Sequence, residues 1–146
     1  MLAACSPQAP AQNVASEQVG ESGLQQVPLT IRSATGVHRF MVEVAATPEQ
    51  QARGLMFRRS LADNEGMIFP YSPPQEVAFW MKNTFIPLDM IFIRSDGTIV
   101  RIAQNTTPHS LEPVGGGEPV SAVLEIRGGR SAELGIREGD IVEWRR

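Results

Sequence analysis

A chain of 146 residues, 42% hydrophobic and 20% charged, reads as one globular domain, and a folded part of ~120 residues buries roughly two-thirds of its unfolded surface without needing staples. The net charge of −3, the pI near 5.4 and the scattering of 13 Lys and Arg argue against a nucleic-acid partner, which would need a concentrated basic face. No run of 18 apolar residues is present, so no segment spans a membrane, and the lone cysteine, Cys5, leaves no disulfide framework.

The first residues, Met1-Leu2-Ala3-Ala4-Cys5-Ser6, resemble a bacterial lipobox, whose cysteine becomes the lipidated first residue. No charged region or apolar stretch precedes it, so a trimmed chain or a late start codon is expected. Residues 6–26 are rich in Ala, Gln, Pro, Ser and Glu and cannot bury enough surface to order themselves, as a tether between a lipid and a domain would not. The expected organisation is therefore a signal remnant and tether over 1–26 and one globular domain over 27–146. With Cys5 committed to lipid, the domain has no thiolate nucleophile and no cysteine-ligated zinc.

Within the domain, residues 27–33 and 37–45 alternate apolar and polar about a Thr35-Gly36 turn, which predicts a β-hairpin. Thr47-Pro48-Glu49-Gln50 predicts a short helix: Thr47 caps it, Pro48 takes the first helical position and Gln50 completes a capping box. A turn over 63–66 leads to a short strand over 67–69 stopped by Pro70, and then a rigid loop at Ser72-Pro73-Pro74. Residues 76–82 predict a strand with Val77, Phe79 and Met81 on one face and Ala78 and Trp80 on the other, both faces covered. Residues 88–93, apolar at nearly every position, predict a central strand, and Asp96-Gly97 predicts a hairpin into 98–103. Three prolines and Gly115-Gly116-Gly117 make 106–119 a long mobile loop. A strand over 120–127, a helix near 130–134 closed by Gly135, and a strand over 141–144 complete the chain. The expected fold is a compact α+β one: a mostly antiparallel sheet or partly closed barrel of seven to eight short strands with two short helices.

Several stretches together resemble the family known as domain of unknown function 192. They are Gly54-Leu55-Met56-Phe57-Arg58, Gly66-Met67-Ile68-Phe69, Phe79-Trp80-Met81-Lys82-Asn83-Thr84, residues 86–93, Val123-Leu124-Glu125 and Gly135-Ile136-Arg137-Glu138-Gly139-Asp140, in family order over 47–143. The resemblance implies a small β-rich bacterial or archaeal domain, often behind a signal peptide or anchor, and implies no activity. Ile68 stands where the family more often has Leu, and 126–129 is a local variant.

The polar kink between the strands at 76–82 and 88–93 is the candidate site. Lys82 ends one strand and Asp89 begins the next, so a Lys82–Asp89 pair across an antiparallel hairpin is expected, with Asp89 enclosed. Such a pair could simply close the hairpin while Asn83 and Thr84 bond the backbone. On the functional reading, Lys82, Asn83, Asp89 and Arg58 form a polar floor beside Trp80, whose ring could stack on a sugar or another flat ligand. Met56, Met67, Met81 and Met90 could in principle hold a soft metal, but methionines beside apolar neighbours on strands are read as core. His38 and His109 sit in no motif. Asp89 and Glu125 could form an acid–base pair only if the fold brings them together.

The leading expectation is an extracytoplasmic module that binds a small molecule or an envelope protein. It would sit in the periplasm or on the inner or outer membrane as a lipoprotein held only by the lipid on Cys5, and it would be monomeric. The ligand set is Trp80, Lys82, Asn83, Asp89 and Arg58, with no catalytic residue, cofactor or metal. The alternative is a hydrolase acting on an envelope glycan through Asp89 and Glu125.

Overall fold

The structure is a computed structural model and describes residues 19–145. The lipobox at Cys5 and the first part of the tether lie outside the described residues. The chain order is β1 (Gln26–Ser33), β2 (Gly36–Val44), α1 (Pro48–Arg53), β3 (Glu65–Gln75), β4 (Ala78–Phe79), β5 (Leu88–Ile93), β6 (Ile99–Thr106), β7 (Val114–Gly115), β8 (Val120–Arg127), α2 (Arg130–Leu134) and β9 (Ile141–Trp144). Seven strands form one sheet in the order β6-β5-β8-β3-β2-β1-β9, and β4 and β7 form a separate two-stranded sheet. Pairing is antiparallel except between β2 and β3, which are joined by the crossover that carries α1. The sheet curls into a half-barrel. Its outer strands approach one another where Val142 N–H donates to Gly97 O at 2.8 Å and Ile99 N–H to Asp140 O at 2.9 Å.

Two apolar layers follow from the period of two along each strand. Inside the curl lie Leu29, Ile31, Val42, Ile68, Ile91, Ile93, Leu124 and Ile126, closed at one end by Ile136 and Leu134 after and within α2. On the other face lie Met67, Phe69, Met90, Phe92 and Val123, covered by Leu55, Leu61 and Met81. Met67, Met81 and Met90 are buried in the core as expected, and the Met81 sulfur also accepts from the Thr106 hydroxyl at 3.2 Å.

The hairpins at Thr35-Gly36 and Asp96-Gly97, the β5 strand and both helices fall where the sequence puts them. Thr47 Oγ1 accepts from Gln50 N–H at 3.2 Å and the Gln50 side chain accepts from Thr47 N–H at 3.1 Å, the reciprocal box the sequence predicts.

Four expectations change. The α+β description is loose: the helices hold only 6 and 5 residues against nine strands among the described residues, so the fold is β-rich. Pro70 does not stop β3, because β2 pairs with it only as far as Ile68, and beyond that no neighbour on the β2 side needs the missing N–H. The strand expected over 76–82 shrinks to Ala78–Phe79, paired with Val114–Gly115 from the segment expected to be a mobile loop. Residues 19–26, expected within the tether, fold onto the domain, because Ser22 N–H and hydroxyl both donate to the buried carboxylate of Glu43.

Candidate ligand-binding site

The five residues expected to form one polar floor do not converge. The alternation of β5 decides Asp89: it is paired with Ile126 of β8 and faces the inside of the half-barrel, fully buried. Lys82 is not its partner. One Asp89 oxygen accepts from Asn105 N–H and Gly129 N–H, each at 2.9 Å, and the other accepts from Ser131 N–H at 2.9 Å and Ser131 Oγ at 2.5 Å. Gly129 is the N-cap of α2 and has no side chain to offer, so Asp89 does the capping from across the sheet and pins the helix that plugs the half-barrel.

Lys82 is exposed, with Nζ 5.2 Å from the centroid of the Trp80 ring. Trp80, expected to be covered, is 47% exposed. Asn83 adopts a left-handed turn conformation (φ 53°), and its carbonyl accepts from Phe57 N–H at 2.8 Å, tying the segment after α1 to the kink. Arg58 is buried elsewhere. Its Nη1 donates to Glu43 Oε2 at 2.7 Å, while Nε lies 3.0 Å from a Glu21 oxygen, at charge-pairing distance but outside hydrogen-bond geometry. Burial works against ionising Glu43, but hydrogen bonds from Ser22 and Arg58 outweigh it together and hold the carboxyl below its ordinary range.

The group the sequence placed only in a conditional pair turns out to be the centre of a cavity. Glu125 is paired with Met90 of β5 and Met67 of β3, so it points to the face opposite Asp89. The two carboxyls therefore make no acid–base pair. Glu125 is 5% exposed, and no described residue hydrogen-bonds or ion-pairs with its side chain. It opens instead into a cavity of about 190 Å³ walled by Phe69, Tyr71, Phe79, Trp80, Thr84 and the backbone of the turn after α1. Phe69 and Phe79 meet edge to face at 4.8 Å and hold one wall rigid.

Two glycines of the recognised stretches fit this geometry. Gly66 lets β3 approach β8, because a Cβ there would lie 2.5 Å from Glu125 O. Gly54 ends α1 at φ +49° and turns the chain over the cavity, with the Phe69 ring 3.3 Å from where its Cβ would be. Sequence reasoning undervalued Glu125 because its neighbours are apolar in sequence. The signal present was a carboxylate set in the otherwise apolar run of β8.

Burial pushes the Glu125 carboxyl up from its ordinary 4.5 to about 8, and burial together with the charge of Glu125 raises the Tyr71 phenol to about 12. Between pH 4.5 and 8 the folded chain thus holds a proton on Glu125 that the unfolded chain releases. Stability from this group is fully present below 4.5 and falls with rising pH by about 1.4 kcal/mol per unit until the folded carboxyl ionises. Glu125→Gln removes the titration, so its melting temperature should gain on the wild type steadily from pH 4.5 to 8. Curves that stay parallel would show an ordinary carboxyl.

The fold and the site together define a β-rich half-barrel domain with a small aromatic cavity over a buried acid. The chain belongs to the domain of unknown function 192 family, described as "Uncharacterized ACR", whose sequence profile matches residues 29–144. A protein of unknown function from Novosphingobium aromaticivorans DSM 12444 superposes with a TM-score of 0.86 at 47% identity, over 95% of this chain and 100% of that one. A protein from Sinorhizobium meliloti 1021, provisionally described as a transcription regulator, superposes with a TM-score of 0.81 at 42% identity, over 86% and 98%. No curated protein matches.

Proposed function

We propose that this chain is a small-molecule-binding module of the cell envelope, monomeric and held to a membrane by a lipid on Cys5. The observation that carries the binding reading is the Glu125 carboxyl, 5% exposed, without a hydrogen-bond or ion-pair partner among the described residues and facing an open cavity. Its oxygens reach the cavity, since the one sealed and unpartnered side-chain polar atom among the described residues is Arg58 Nε, and an acid enclosed this far without a cation is disfavoured unless the site has a use for it. At about 190 Å³ the cavity suits a ligand the size of one substituted ring, below the range for drug-sized molecules. Trp80 at its edge supplies the flat face the sequence suggested, while Lys82, Asn83 and Arg58 support the surroundings from outside it.

The address rests on the Leu-Ala-Ala-Cys sequence alone. In the native host, labelled palmitate should enter the protein and be lost in Cys5→Ser; equal labelling, or none in either, removes the anchor from the proposal. Binding is tested by a thermal-shift screen of small polar metabolites against wild type and Glu125→Leu. A compound that raises the wild-type melting temperature by several degrees and leaves the variant unmoved supports the site. A compound that shifts both equally places binding elsewhere.

A second reading, contact with an envelope protein, has one observation in its favour. Phe57, Trp80 and Phe85 are 50%, 47% and 41% exposed, and Phe57 and Phe85 stack edge to face at 6.0 Å. Cross-linking from position 80 in the envelope would recover such a partner.

A further inference from the structure

The chemical class of the ligand can be read from what surrounds Glu125, given the binding site argued above. A buried carboxyl is normally matched by a cation of the same protein, and here no described residue takes that position. The groups facing it from each element are few. β3 brings the Tyr71 phenol, β5 brings Met90, and the segment after β4 brings Trp80 and Thr84. From α1, Arg53 lines the cavity, but it forms no ion pair with Glu125 and its guanidinium carbon lies 5.5 Å from the centroid of the Phe57 ring. Lys82 is likewise held over Trp80 and does not line the cavity.

The walls add a second argument. Aromatic faces carry partial negative charge and attract cations, most strongly where water is excluded. Phe69, Tyr71, Phe79 and Trp80 line the same small space into which the acid opens. With Arg53 turned to Phe57, an acid floor without a counter-ion among the described residues, beneath aromatic walls, is complementary to a positive charge on a small organic body.

We propose that the cavity binds an organic cation, an ammonium group on a body about the size of one ring, seated against the Glu125 carboxylate between Tyr71, Phe79 and Trp80. In the empty site Glu125 keeps its proton at neutral pH, since burial disfavours the charged form. When the ammonium enters, the carboxylic O–H ionises, its proton passes to bulk solvent and the carboxylate pairs with the ammonium N–H groups. A neutral ligand would need no such ionisation and would accept a hydrogen bond from the protonated acid.

Isothermal titration of the wild type with benzylamine and phenethylamine, against benzyl alcohol as the uncharged match, tests the inference between pH 6 and 9. The cations should bind at least about tenfold more tightly than the alcohol at pH 8. Their affinity should rise about tenfold per pH unit up to 8 and then level off, because one proton is lost on binding. Titration in two buffers of different ionisation enthalpy should count nearly one proton released below pH 7. Glu125→Gln, checked by circular dichroism for its fold, should lose both the preference and the pH dependence. If benzyl alcohol or another neutral ring binds as well as the amines, or affinity falls as pH passes 8, the cation is wrong while the binding site stands. If neither charged nor neutral probe binds, the site and the cation fall together.

Discussion

Asp89→Ala should unfold the protein or come close to doing so. The substitution leaves three backbone N–H groups and the Ser131 hydroxyl without their acceptor, the two Ser131 donors buried and those of Asn105 and Gly129 partly so. Even at about 1 kcal/mol for each orphaned donor the loss approaches 4 kcal/mol, a large part of the stability of a domain this size. Asp89→Asn keeps the shape and one acceptor oxygen but turns an amide donor toward donors, so a smaller loss of about 2 kcal/mol is expected. The damage should begin at α2. Hydrogen exchange in Asp89→Asn should quicken first at residues 129–136, where Gly129 and Ser131 lose their contacts, and later in β5 and β8. Chemical denaturation of the two variants checks the magnitudes. A stable Asp89→Ala protein that had lost only ligand binding would return Asp89 to the binding site and overturn its structural role.

The second large effect is expected at Arg58. Arg58→Met fills similar space but strips the Glu43 carboxylate, 2% exposed, of its cation. Breaking a buried pair from one side costs about 3–5 kcal/mol because the remaining charge is stranded. Replacing both partners, as Arg58→Met with Glu43→Gln, should recover most of that loss, since no charge is then left buried. A double-mutant cycle in urea reads the coupling directly. If the double variant were no better than the single one, the packing of the arginine stem rather than the charge would be the cause. The pair also sets a pH limit. Glu43 is held ionised below its ordinary range, so its contribution is present above pH 4.5 and is lost as the pH falls further. Glu125 acts in the opposite direction above 4.5, which confines the stability contributed by these two acids to a maximum in the mildly acidic range.

Much of the local structure was legible because it depends on short-range chemistry. The Thr47–Gln50 capping box, the left-handed glycine turns and the apolar run of β5 are each decided by a handful of neighbouring residues. Family membership was also legible, from six stretches in order. The candidate site was only partly so. Trp80 does line the cavity, but Lys82, Arg58 and Asp89 serve three separate places.

By itself, then, the sequence determined the kinds of elements, their order and the existence of enclosed polar groups around residues 79–93. Only the tertiary structure decided which face each of those groups occupies. Asp89 and Glu125 lie on adjacent paired strands, and one step in register, Asp89 opposite Ile126 and Met90 opposite Glu125, sends one carboxyl to four hydrogen bonds inside the half-barrel and the other to an aromatic cavity where no described residue bonds it. Side chains alternate on every strand, so the pairing register, which is a long-range property, separates a structural acid from one free to meet a ligand.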